Sequence, residues 1–177
     1  KVLNADGSCY HGGRGKWHLT KDGKPGRWMP TIRGKLIPCE RGYHVLEARD
    51  LIYWLGPAIH RVEIGQQYIR DGNKGVTERA RLPVGSQLDA WNERTARLFI
   101  ADCAEHVLYL FENNFPGDLR PRLAIQAARD YVGGFITYEE VAALGAAFAA
   151  AGAAFAAERQ WQTEHLLAIL GVVAEGE

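Results

Sequence analysis

Residues 92–113 show the longest helical periodicity in the chain, and this stretch constrains the fold most. Its apolar positions are Leu98, Phe99, Cys103, Val107, Leu110 and Phe111. They recur at three- and four-residue intervals, as on one face of a helix. Asn92 is suited to cap the start, and Asn113 with Pro116-Gly117 ends the pattern. The spacing predicts one helix of about 22 residues, roughly 33 Å long, that receives the shorter helices after it.

Three further helices are predicted after this one. Asp118 is suited to cap a helix over about 119–132, which Gly133-Gly134 would end. Thr137 and Glu140 form a capping box before an Ala-rich run, and a last helix covers about 158–170. The predicted core joins Phe99, Cys103, Val107 and Leu110 to Leu123, Ile125, Phe148, Phe155, Trp161 and Leu166.

The Ala-rich run repeats GAAFAAA at 145–151 as GAAFAAE at 152–158. It is at the short limit for a membrane span, and alanine contributes little transfer free energy. Glutamates also bracket the run. A closely packed core helix is therefore predicted, and no membrane segment.

Residues 1–87 have a different pattern, in which turn-forming pairs such as Asp6-Gly7 and Pro25-Gly26 separate short apolar stretches. This pattern predicts short strands and long loops, with a short helix at 47–56 and a strand at 58–64. A hairpin follows, with Gly72 to Gly75 at its tip. The predicted fold class is α+β: a small antiparallel β-rich module at 1–87, then a four-helix module at 88–177.

Charge also divides the chain. Residues 1–87 hold 15 Lys and Arg against 8 Asp and Glu, whereas residues 88–177 hold 6 against 13. The chain as a whole is neutral. This polarity predicts two modules with different surfaces, or two halves that neutralise one another across an interface.

Three cysteines without a C-x-x-C pair do not predict a disulfide framework, and they favour a reducing compartment. The first residues lack the apolar run of a signal peptide. We therefore expect a cytoplasmic protein.

No Walker A loop, G-x-G-x-x-G, G-x-S-x-G or H-E-x-x-H motif is present, and no cofactor is expected. His106 follows Asp102 and Cys103 on the central helix, where core packing explains it better than nucleophilic catalysis.

Two Cys-His pairs give a weak metal hypothesis. Cys9 with His11 and Cys39 with His44 would place two thiols and two imidazoles together if their loops pair. Such a set can bind zinc tetrahedrally. The one-residue gap in the first pair differs from common zinc modules, so buried cysteines and hydrogen-bonded histidines explain the pattern more simply.

The basic half also predicts a binding surface for nucleic acid or protein. Cationic and aromatic residues alternate at Lys16, Trp17, Lys21, Lys24, Arg27 and Trp28. This composition is typical of surfaces that contact phosphates and stack bases. The alternative interpretation places the tryptophans in the core and the lysines in solvated loops.

The basic half also resembles a family of enzymes. The order of Tyr10-His11-Gly12-Gly13, Gly42-Tyr43-His44, a helix and a later strand resembles ADP-ribosyltransferase-type NAD-binding folds. The resemblance implies that His11 would hold the ribose, that Tyr43 or His44 would flank the nicotinamide, and that Glu78 would be the catalytic acid.

The helical half resembles a different group. TARLFIADCAEHVLYLFE, PGDLRPRLAIQAARDYVGG, the Ala-rich run and AERQWQTEHLLAIL resemble the Imm5-like group of immunity proteins over about 92–171. That group occurs in bacterial polymorphic-toxin loci and, in variant form, in phage genomes. PCERGYH and the elements after it resemble, more loosely, an uncharacterised phage and prophage module.

These resemblances imply a non-enzymatic phage or prophage accessory protein that binds and inhibits a host protein. The target would be a toxin or a defence complex, CRISPR-type or another nuclease, in the cytoplasm of a bacterial host. Nucleic acid is a further candidate partner through the basic half, and a homodimer stays open. The alternatives are an ADP-ribosyltransferase-like NAD-binding enzyme and a structural phage component.

Overall fold

The computed structural model describes residues 1–13, 15–135 and 158–173. The chain divides into two compact units, Lys1–Asn92 with Leu170–Glu177, and Glu93–Ile169. We call them the β-rich unit and the helical unit. The first contains antiparallel strands and a 3-10 helix, and the second contains α-helices, so the predicted α+β class is confirmed. Independent folding of the two modules stays a prediction.

Seven short strands are described in the β-rich unit: β1 (Val2–Leu3), β2 (Tyr43–Val45), β3 (Ala58–Ile59), β4 (Glu63–Ile64), β5 (Tyr68–Asp71), β6 (Lys74–Thr77) and β7 (Ala80–Arg81). β1 pairs with β3, β4 pairs with β7, and β6 lies between β2 and β5. All these pairs are antiparallel. The predicted hairpin is present as β5–β6.

Two local predictions need correction. The strand expected over 58–64 is interrupted, because the chain changes partners there: the His60 N–H donates to Lys1 O, and the Arg61 N–H donates to Ser86 O. The result is two short strands, β3 and β4. The helix expected over 47–56 is a 3-10 helix at Ala48–Tyr53.

The core of the β-rich unit consists of Leu3, Trp17, Met29, Val45, Ala80 and Leu82. The segment 26–32 lies along residues 78–82 through three backbone hydrogen bonds. The N–H groups of Gly26, Met29 and Ile32 donate to the carbonyls of Leu82, Ala80 and Glu78 respectively. These bonds hold Met29 over the core.

Four helices are described in the helical unit: α1 (Glu93–His106), α2 (Leu108–Asn114), α3 (Arg120–Gly133) and α4 (Arg159–Leu170). α4 lies at the position predicted for the last helix. α3 ends at Gly134, whose φ of 80° is the left-handed cap conformation that glycine adopts at low cost. No helix among the described residues combines the length and apolarity needed to cross a bilayer.

The prediction of one continuous rod over 92–113 is wrong. The helix breaks at Val107, whose φ of −103° and ψ of 2° lie outside the helical region. The Leu110 N–H donates to Val107 O in a tighter turn. After the break Leu108 is buried with Ala101, Ala104 and Ile125. The burial of Leu108 therefore accompanies an interruption of the α-helical hydrogen bonding.

The predicted helical core is correct in part. Buried residues include Phe99, Cys103, Val107, Ile125 and Leu166. Trp161 is half-buried, and Leu110 and Leu123 are exposed, so their predicted burial is wrong. The Ala-rich helix, with Thr137, Glu140, Phe148 and Phe155, lies outside the described residues.

Ala101 and Ala104 of α1 are buried in one cluster with Ile125 of α3, and an ion-pair network joins the same helices. Arg129 on α3 contacts Asp102 at 2.8 Å and Glu105 at 2.6 Å on α1. The guanidinium of Arg129 lowers the pKa of the Glu105 carboxyl below its ordinary value of 4.5. Asp102 also accepts a hydrogen bond from His165 Nε2 at 2.8 Å, so α4 joins the network.

We expect Arg129→Met to lower the free energy of unfolding by about 1 kcal/mol at pH 7, since the pairs are partly exposed and solvent screens them. The lowered Glu105 pKa stabilises the fold above about 4.5, and this contribution is lost as pH falls through the folded pKa. Urea unfolding at pH 7 and at lower pH should show the variant converging on the wild type. Arg122→Met, at a more exposed pair, is the control, and an equal pH-independent loss in both variants would contradict the prediction.

Candidate functional sites

Five large apolar side chains are exposed along α2 and at the start of α3. They are Tyr109, Leu110, Phe115, Leu119 and Leu123, which are 38–57% exposed. We call these five residues the α2–α3 corner. Large apolar residues grouped on a surface mark protein-interaction sites more often than scattered ones do.

Local contacts hold the α2–α3 corner in shape. The rings of Phe111 and Phe115 lie 4.9 Å apart, and the Phe115 N–H donates to Phe111 O. The Leu123 N–H donates to Leu119 O, so these two leucines lie one helical turn apart on the same face. Exposed apolar groups that local contacts already hold in place lose little conformational entropy when a partner covers them.

Two arginines border the corner. The side chain of Arg120 is 81% exposed and pairs with Asp118 at 2.6 Å. Arg122 is 56% exposed and joins α3 to α2 through Glu112 at 2.7 Å. Arginine and aromatic residues are enriched at protein interfaces, because each offers polar contacts together with a large apolar area.

The carboxylates of the helical unit are already engaged within it. Throughout its described residues each one contacts Arg, His or Gln: Glu93, Asp102, Glu105, Glu112, Asp118, Asp130, Glu158 and Glu164. The acidic composition of this half is therefore largely balanced by local pairs. Its α2–α3 corner is the more distinctive surface.

An aromatic stack joins α1 to α4. Trp161 lies between His106 at 3.9 Å and His165 at 4.8 Å, with nearly parallel rings. His165 also stacks on Phe99, and His106 Nε2 lies 2.7 Å from Glu158. Both histidines thus have structural partners. Burial raises the pKa of the neighbouring Cys103 thiol to about 11, which keeps it protonated and unreactive at neutral pH.

In the β-rich unit, a cavity of about 460 Å³ brings several predicted site residues together. Its lining includes Cys9, His11, Cys39, Tyr43 and His44. His11 Nε2 donates to Trp54 O at 2.8 Å, and His44 Nε2 accepts from the Cys39 N–H at 2.9 Å. Tyr43 donates its hydroxyl hydrogen to Pro30 O at 2.7 Å.

The metal hypothesis meets a geometric obstacle. The Nε2 lone pair of His44 is occupied by the Cys39 N–H, whereas the bond from His11 Nε2 to Trp54 O is one that a metal-ligating histidine could also make. Across residues 1–13, 15–135 and 158–173, no three His, Cys, Asp or Glu side chains are arranged to hold a metal ion. Cys9, His11, Cys39 and His44 thus share a cavity without forming a ligand shell.

Glu78 does not belong to the described lining of this cavity. Its carboxylate accepts hydrogen bonds from the N–H groups of Gln66 at 2.8 Å and Gln67 at 2.9 Å, and from the Thr77 hydroxyl. These bonds lower the pKa of Glu78 against the opposing effect of burial. The structure therefore brings His11 and Tyr43 to one cavity and gives Glu78 a role in holding the turn before β5.

The basic residues of the β-rich unit line a separate groove. Lys16, Lys21, Lys24 and Arg27 border a space of about 640 Å³, and Lys16 pairs with Asp6 at 3.0 Å. The two aromatic residues are already engaged by other parts of the β-rich unit. Trp17 is buried in the core, and the ring of Trp28 contacts the guanidinium groups of Arg79 at 4.3 Å and Arg81 at 4.8 Å.

The observed architecture is therefore an α+β protein with an exposed, arginine-bordered apolar corner on its helical unit. Residues 86–160 match the sequence model of a family described as Imm-5 like putative immunity protein. The resemblance of the C-terminal half to this group is thereby confirmed, and the helical unit is similar to these immunity proteins. No curated protein and no solved structure matches the chain.

Several residues at these sites were missed by the sequence reasoning. Leu119 and Leu123 follow helical spacing, which is the same signal that a buried face gives. Lys1 and Lys74 at the 460 Å³ cavity carry no local signal, because strand pairing brings them there from distant positions.

Proposed function

We propose that this protein is a non-enzymatic binding protein that inhibits a partner protein by covering a functional surface of it. The observation that carries the proposal is the α2–α3 corner, where exposed Tyr, Phe and Leu side chains lie beside two exposed arginines. The family match supports the same role, because an immunity protein acts by binding. The corner also lies within the matched residues.

The chemistry of the corner indicates the chemistry of the partner. Its aromatic and leucine side chains fit an apolar depression, and Arg120 and Arg122 fit carboxylates at the edge of that depression. Arginine pairs at exposed positions contribute little to stability, so both residues can exchange intramolecular carboxylates for those of a partner.

We propose a toxin or a host defence complex, including a CRISPR-type or other nuclease, as the target of this phage or prophage accessory protein. Competition with nucleic acid through negative charge has less support than apolar docking, because the described carboxylates of the helical unit are locally paired. Blocking therefore depends on shape and apolar contact near the active surface of the target.

Two alternatives remain separate hypotheses. An ADP-ribosyltransferase-like enzyme is supported only by the shared cavity of His11 and Tyr43, since Glu78 contacts the Gln66–Gln67 backbone instead. A structural phage component or a homodimer would use the corner to bind further copies of the chain. Self-association would then be detected by sedimentation without any added partner.

The deciding experiment compares the wild type with Leu119→Asp/Leu123→Asp as tagged baits in bacterial lysate. The wild type should retain a target that docks at the corner. The double variant should bind that target about 100-fold more weakly, because two charges would be desolvated in an apolar interface. Purified target is then assayed with and without the protein, and inhibition should disappear with the same variant.

Ile100→Asp is the matched control, because Ile100 on α1 is 53% exposed and lies outside the corner. It should retain both capture and inhibition. Circular dichroism and thermal melting establish that each variant is folded. A captured protein that binds the double variant as tightly as the wild type, or binds without inhibition, would contradict the proposal.

A further inference from the structure

The 460 Å³ cavity of the β-rich unit has an unusual charge balance. Lys1, Lys74, His11 and His44 line it, and Glu40 is the single acidic residue in its described lining. The volume falls in the usual range for small-molecule sites. Two lysine side chains against one carboxylate make the cavity a favourable place for an anion.

Neither lysine is neutralised within the described part of the chain. The Lys1 ammonium lies 5.5 Å from the Trp17 ring centroid, and the Lys74 ammonium lies 5.4 Å from the Trp54 ring centroid. No ion pair joins either ammonium to a described carboxylate. Aromatic faces attract cations but leave their hydrogen-bond donors unused, so both groups can still bind an anion.

Burial and neighbouring charges both affect these groups. Burial lowers the pKa of the Lys1 side chain. Burial, followed by the charges of Lys1 and Lys74, lowers the pKa of His44, and Asp71 partly opposes this. An anion that enters beside Lys1 and Lys74 would offset the effect of their charges on His44.

The other lining groups limit what this anion can be. Tyr43 and Trp54 supply aromatic surface, and Gly12 and Gly13 leave the wall free of side chains. A Cβ at Gly12 would contact nothing within 4 Å, so there is room for a ligand to approach the backbone. Apolar walls with a few polar groups are typical of sites for small organic molecules, and lysine is a common ligand of phosphate.

We propose that this cavity binds a small organic phosphate, with Lys1 and Lys74 contacting the phosphate and Tyr43 and Trp54 contacting the organic part. The site lies entirely within the β-rich unit, so it is independent of the α2–α3 corner. It gives the basic half of the protein a role in small-molecule binding beside the inhibitory role of the helical half.

Isothermal titration with ADP and with inorganic phosphate tests the proposal. ADP should bind at least 10-fold more tightly than phosphate, and Lys74→Gln should weaken ADP binding at least 10-fold. Lys21→Gln is the control, because Lys21 is exposed and does not line this cavity, so the variant should bind ADP as the wild type does. Thermal melting establishes that both variants are folded.

Three results would overturn the inference. Absence of ADP binding at millimolar concentration rejects the site. Equal affinities for ADP and phosphate reject an organic ligand. If Lys21→Gln and Lys74→Gln weaken ADP binding equally, the anion binds through general surface charge instead of this cavity.

Discussion

Phe99→Ala should lower the free energy of unfolding by about 3–5 kcal/mol. Phe99 is 3% exposed, and its ring stacks on His165 at 5.8 Å between centroids. Alanine would remove the buried ring and leave a cavity between α1 and α4 that helices cannot fill without moving. Since whole domains are stable by only about 5–15 kcal/mol, this single change would remove a large part of the total.

Urea unfolding followed by far-ultraviolet circular dichroism measures the effect. The neighbouring Ile100→Ala is the control, because Ile100 is 53% exposed and its truncation should cost within about 0.5 kcal/mol. Lys21→Ala and Lys24→Ala should likewise cost almost nothing. A loss below about 1.5 kcal/mol in Phe99→Ala would mean that α4 does not pack on α1 as described.

The second large effect is expected at Gly26, in the loop that carries the basic groove. A Cβ there would overlap the carbonyl oxygen of His18, which is backbone and cannot rotate away. Relief of this overlap would disturb the hydrogen bond from the Gly26 N–H to Leu82 O. We expect Gly26→Ala to cost about 2–4 kcal/mol, from overpacking and a weakened backbone bond.

Gly23→Ala adds the same methyl group three residues earlier and is the matched comparison. Gly23 has a φ of 68° and open space around its Cβ position, so alanine would cost only about 1 kcal/mol of backbone strain. In thermal unfolding, the melting temperature of Gly26→Ala should lie well below that of Gly23→Ala. The opposite order would mean that the 26–32 segment does not lie against His18 and Leu82 in solution.

Local sequence signals predicted the helices but not the break between α1 and α2. Apolar spacing identifies the helical regions, and Gly134 ends α3 as its residue type indicates. Val107 carries no such signal, because valine is tolerated inside helices. The break coincides with tertiary contacts of Leu108 and of His106, which depend on α3 and α4 and are invisible to a local pattern.

The candidate sites also depend on nonlocal contacts that a local sequence pattern does not reveal. Cys9, His11, Cys39 and His44 were predicted to meet if their loops pair, and all four line one cavity. Lys74 reaches that cavity because β6 pairs with β2, a nonlocal contact that sequence spacing does not reveal. Leu123 was expected in the core since helical periodicity identifies an apolar face without showing what covers it.

The stacked rings of α1 and α4 have a spectroscopic consequence. Trp161 is the one tryptophan in residues 93–169, and it lies between two imidazoles at 3.9 and 4.8 Å. Imidazole quenches indole emission most strongly when it is protonated and in contact. The fluorescence of Trp161, isolated by replacing the other four tryptophans with phenylalanine, therefore provides an optical signal for the separation of α4 from α1.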